Sequence, residues 1–71
     1  MNVYVNEHQV SVDRRERISV HDLCNTLNLG MSGDHVEVHV NGEHVDRSKW
    51  LKYGVQAEDE VHIRTLRKVP G

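Results

Sequence analysis

The chemistry this chain has to offer rests mainly on a group of histidines and on a terminal glycine. His35, His39, His44 and His62 recur with Glu37, Asp46 and Arg64 among alternating valines. Imidazoles and carboxylates are competent ligands for zinc or nickel. Protonation of the imidazoles below about pH 6.5 would add positive charge to whatever surface carries them. Strand parity places His35, Glu37, His39, His44 and Asp46 on one face, and His62 joins them if the last strand lies beside that hairpin. No loop or helical spacing pre-organises a third ligand. The expectation is therefore a solvated sheet face with no metal site. His39, His44, His62 and Arg64 are its outward-facing candidate residues. Cys24 falls on an apolar stripe with no cationic neighbour to depress its pKa, so it is read as core. No nucleophile–base pair or metal triad is apparent, which gives no catalytic residue and argues against an enzyme.

The last twelve residues read E-V-H-I-R-T-L-R-K-V-P-G. Val61 and Ile63 alternate with His62 and Arg64, the pattern of a half-buried strand. After Leu66 the alternation stops, and Arg67, Lys68, Val69, Pro70 and Gly71 follow. The expected division is a folded domain over 1–66 and a flexible tail over 67–71 that carries an unhindered carboxylate on Gly71.

Elements must exist to hold that strand. Val3 and Val5, then Val10 and Val12, mark two strands joined through Asn6-Glu7-His8 as a hairpin. Tyr4 belongs to the far face of the first strand. Asp13 to Arg17 is a charged loop, too short and too mixed in sign to bind nucleic acid. Ser19 is a helix N-cap with Asp22 three positions on, and Ile18 can staple onto Leu23. Val20, Leu23, Cys24 and Leu27 form the buried helical face, and Gly30 is expected to end it. Met31 to Asp34 form a turn with Gly33. In H-V-E-V-H-V-N-G-E-H-V, Val36, Val38 and Val40 point inward and Asn41-Gly42 supplies a type I′ turn. A two-residue loop pairs Val40 with Glu43, His39 with His44, and Val38 with Val45. Arg47 to Trp50 forms a short helical turn, with Trp50 and Leu51 closing one end of the core. Tyr53-Gly54 begins another turn, and Gln56 to Asp59 lead into the last strand.

Composition narrows the function classes. Seventy-one residues make one domain with a small core. The single cysteine forms no internal disulfide, which fits a reducing compartment. No apolar run reaches membrane-spanning length, so the expectation is a cytoplasmic protein without membrane partners. A net charge of −2, no Phe and 4% aromatic residues argue against nucleic-acid binding.

Two hairpins, one helix and a final strand assemble most compactly when that strand lies between the hairpins beside the first strand. The fold expected is α+β, a mixed five-stranded sheet on one helix, the ubiquitin-like β-grasp. V-N-G-E at Val40 to Glu43, Val45, the Arg47-Ser48-x-Trp50 turn, D-E-V-x-I at Asp59 to Ile63 and M-N-V-x-V-N at Met1 to Asn6 support this. In their order and spacing, over nearly the whole chain, they resemble the ThiS/MoaD family of sulfur carriers, ThiS most closely. The resemblance implies a chemistry in thiamine-like cofactor biosynthesis. A tail ending in Gly-Gly enters an E1-like enzyme, which uses ATP to adenylate the terminal carboxylate. A sulfur donor then converts it to a thiocarboxylate for a sulfur-accepting synthase. The carrier is a substrate and binds no cofactor of its own. Here the tail ends Val69-Pro70-Gly71, so only Gly71 matches the family terminus. Pro70 fixes its own φ and lacks an N–H. Two alternatives stay open: a non-covalent binding module that has lost the Gly-Gly tail, and a ubiquitin-like modifier joined through Gly71.

Overall fold

The computed structural model describes residues 1–28 and 35–66. Chain order is β1 (Asn2–Val5), β2 (His8–Ser11), β3 (Arg17–Ser19), α1 (Val20–Thr26), β4 (His35–Val40), β5 (Glu43–Val45), a 3₁₀ turn (Arg47–Lys49), β6 (Gly54–Gln56) and β7 (Glu60–Leu66). Five strands form one mixed sheet in the order β2-β1-β7-β4-β5. β7 is central, parallel to β1 and antiparallel to β4. This is the β-grasp arrangement expected from the sequence.

Alternation builds the core. Val3, Val5, Val38, Val40, Val45, Val61 and Ile63 are buried and form one cluster with Val20, Leu23 and Cys24 of α1. Ser19 caps α1 by accepting the Asp22 N–H at 3.1 Å. The Asp22 carboxylate turns outward, 3.7 Å from Arg14 Nη2. The next two free amides of the helix start find carbonyls across the chain. Val20 donates to Tyr53 O at 2.9 Å and His21 to Trp50 O at 3.1 Å. Thr26 ends the helix and Asn28 takes the positive φ, +56°. The left-handed residue that ends the helix thus falls two positions before the expected Gly30, because Asn also tolerates that region. Gly30 and the expected turn over Met31 to Asp34 lie outside the described residues.

Each hairpin turns through two positive-φ residues, Asn6-Glu7 in the first and Asn41-Gly42 in the second. The first loop is therefore two residues long, with His8 paired to Val5 in β2. Both asparagines also reach β7. The Asn6 carboxamide accepts from Ile63 N at 2.8 Å and donates to Ile63 O at 3.1 Å. It continues the short parallel ladder that pairs Tyr4 with Glu60 and Val5 with Val61. Asn41 Oδ1 accepts from Glu60 N at 2.9 Å. Two turn residues thus clamp the central strand from opposite sides.

Three expectations need correction. Arg17 is the first residue of β3, not the end of a charged loop, and Gly54 opens β6, not a turn. β3 and β6 pair as a small second sheet, with buried Ile18 opposite buried Val55. Runs of three residues are too short for period-2 alternation to reveal. Leu51 does not close the core; it is 72% exposed, whereas Trp50 is 3% exposed. The 3₁₀ turn rotates consecutive side chains apart, so only one of the pair can face inward.

Candidate functional site

The outer face of the five-stranded sheet, opposite α1, carries a cluster of titratable groups. β4 pairs His39 with His44 on one side and with His62 on the other, so three imidazoles form a rung across β5, β4 and β7. The rings of His39 and His44 have centroids 5.2 Å apart, tilted by 55°. The next rung pairs Glu37 with Arg64. Glu37 Oε2 meets Arg64 Nη2 at 3.3 Å, and its Oε1 lies 3.3 Å from His39 Nε2. His39, His44, His62 and Arg64 therefore share one face, as strand parity required.

A shallow cleft borders this arrangement and another lies by the 3₁₀ turn, and neither was expected from the sequence. One, of about 240 Å³, is lined by Tyr4, Glu7, Glu60, Val61 and His62. Tyr4 and Glu60 meet only through the parallel register of β1 and β7, which alternation along either strand does not encode. The other, of about 320 Å³, is lined by Ser48, Lys49, Lys52 and Tyr53 beside the exposed Leu51. The signal for it was the basic spacing of Lys49 and Lys52 after a capped turn.

Cys24 is fully buried, and burial pushes its thiol pKa up although Arg47 opposes the shift. A thiol held protonated and out of solvent is no nucleophile. Asp46 caps the 3₁₀ turn by accepting from the Ser48 hydroxyl and, at 3.1 Å, from Ser48 N. Those hydrogen bonds hold its carboxyl below the usual range. Trp50 donates from Nε1 to Val45 O at 3.2 Å, with the Arg47 guanidinium 5.0 Å over its ring. These contacts set the 3₁₀ turn against the end of β5. Among the described residues no group of three or more His, Cys, Asp or Glu is arranged to hold a metal ion. No helix among them is long and apolar enough to cross a membrane.

Arg67, Lys68, Val69, Pro70 and Gly71 lie outside the described residues. The described part of β7 ends at Leu66, paired with His35 at the start of β4.

This topology is shared with known proteins. The chain is similar to the crystal structure of a thiamine biosynthesis protein (ThiS) from Geobacter metallireducens, with a TM-score of 0.82 at 28% identity. The match covers 97% of this chain and 99% of that one. An NMR solution structure of a thiamine biosynthesis protein from the same organism matches with a TM-score of 0.71 at 30% identity, covering 100% of this chain and 87% of that one. No curated protein matches the chain. The model of the ThiS family matches residues 2–63, which takes in both hairpins, α1 and most of β7, and the chain belongs to the ThiS family.

Proposed function

We propose that the chain is a sulfur carrier of thiamine-like cofactor biosynthesis, charged at the carboxylate of Gly71. The family match over residues 2–63 carries this reading, because it takes in most of the central strand that precedes residues 67–71 in sequence. A carboxylate is a poor electrophile until it gains a leaving group. In the proposed sequence the Gly71 carboxylate attacks the α-phosphorus of ATP in an E1-like enzyme. Pyrophosphate leaves and an acyl-adenylate forms. A sulfur donor then attacks the acyl carbon, AMP departs, and the resulting thiocarboxylate delivers sulfide to a sulfur-accepting synthase. The carrier contributes the electrophilic terminus and a docking surface; catalysis belongs to the partner. The outer sheet face, with His39, His44, His62 and Arg64, is the proposed docking surface, and Arg67 to Pro70 lead Gly71 into the partner's site.

Incubation with ATP, a sulfur donor and the adenylating enzyme of the same organism, followed by intact mass, tests the proposal. The expected product has one oxygen replaced by sulfur at Gly71. A branched target peptide would instead indicate a protein modifier. Pro70 favours a second reading, a non-covalent binding module, because it removes an N–H and widens the tail next to Gly71. Under that reading no adenylate forms with the natural tail, and Pro70→Gly restores it.

A further inference from the structure

We propose that His39 and His44 chelate a divalent transition-metal ion of the zinc class on the outer sheet face. The argument begins with the turn. A two-residue loop at Asn41-Gly42 makes Val40 and Glu43 the hydrogen-bonded pair that closes the hairpin. The next pair, His39 and His44, is then non-hydrogen-bonded, the register in which facing side chains approach most closely. Their ring centroids lie 5.2 Å apart. A tetrahedral ion with metal–nitrogen bonds of about 2.1 Å, shared by two imidazoles, needs ring centres separated by roughly 5 Å. The backbone thus sets the two rings at chelating distance before any metal arrives.

A second observation concerns the neighbouring carboxylate. Glu37 Oε1 lies 3.3 Å from His39 Nε2, and its other oxygen is held by Arg64 at 3.3 Å. A carboxylate against one imidazole nitrogen orients the ring so that the other nitrogen is the one open to a metal. Here that leaves Nδ1 of His39 to ligate. His44 supplies the second nitrogen, and water fills the remaining positions. Imidazole donors select zinc, nickel or copper over magnesium and calcium, which prefer oxygen. His62 occupies the same rung on β7 but is not required by the two-histidine chelate. The sequence already pairs His39 with His44 across the hairpin; a metal site was not expected there because no spacing pre-organises a third ligand.

Titration of zinc chloride into the full-length chain, followed by imidazole resonances and calorimetry, tests the assignment. At micromolar zinc the His39 and His44 resonances shift together and saturate. His39→Ala and His44→Ala each abolish saturation in that range, and Glu37→Gln weakens binding about tenfold, whereas His62→Ala leaves the affinity unchanged. Melting curves without zinc confirm that these substitutions preserve the fold, and zinc raises the melting temperature of the natural chain but not of the His39→Ala variant. The proposal is overturned by the absence of a saturable shift at micromolar zinc. Shifts spread evenly over all six histidines, or undiminished affinity in either single histidine variant, overturn it equally.

Discussion

At the scale of single residues, asparagine does work that hydrophobic patterning cannot foresee. Asn6 combines a positive φ of 50° with two hydrogen bonds to the main chain of Ile63. Replacing it with alanine removes both and puts at positive φ a residue that tolerates that region less well than asparagine, a loss of about 1–3 kcal/mol. Asn6→Gly restores the backbone freedom but not the bonds, so it should remain clearly less stable than the natural chain in urea denaturation. Equal stability of Asn6→Gly and the natural chain would show that the side-chain bonds contribute nothing. The adjacent pair Trp50 and Leu51 offers a second contrast. Trp50 fills the core and donates a buried hydrogen bond to Val45 O, so Trp50→Ala costs about 3–5 kcal/mol. Leu51 is exposed, and Leu51→Ser changes stability by less than about 0.5 kcal/mol.

Among elements, β7 is the best-anchored strand. It is paired on both flanks and clamped near Glu60 by Asn41 and at Ile63 by Asn6. The pair β3 and β6 forms a separate two-stranded sheet of three residues each. Native-state hydrogen exchange should follow this difference. The inner amides of β7 exchange last, at rates set by global unfolding, and those of β3 and β6 exchange earlier. Equal protection of the two sheets would argue that the small sheet unfolds only with the whole domain. The strands and their hairpins were legible in the sequence because alternation and Asn-Gly chemistry act locally. β3 and β6 were not, since three residues carry no period. The helix end was placed late, because both Asn28 and Gly30 satisfy the local rule and the sequence offered no means to choose.

For the molecule as a whole, two perturbed groups among the described residues shape stability against pH. The folded-state pKa of Asp46 is lowered by its bonds to Ser48. Its contribution is therefore present above the ordinary aspartate value, about 3.9, and is lost as pH falls through that value and the folded one. The folded-state pKa of Cys24 is raised by burial. Its contribution is present below the ordinary thiol value, about 8.5, and is lost as pH rises from there toward the folded value. Melting temperature should thus decline on both sides of neutrality. Asp46→Asn keeps a capping oxygen and flattens part of the acid limb, while Cys24→Ala flattens part of the alkaline one. The same burial predicts that iodoacetamide labels Cys24 only in denaturant. Labelling of the native chain at the rate of a free thiol would contradict the packing around α1.

The sequence by itself determined the strand faces, the hairpin register around Asn41-Gly42, the capped start of α1 and the membership of His39 and His44 in one face. Each follows from local periodicity or turn chemistry, which the chain carries wherever it folds. The tertiary structure decided which side chains meet across strands. The Glu37 contact with Arg64, the place of His62 beside His39, and the cleft between Tyr4 and Glu60 all depend on pairing between segments far apart in the chain. Alternation specifies a face to within one strand. Only the assembled sheet, with β7 inserted between β1 and β4, converts that face into a site.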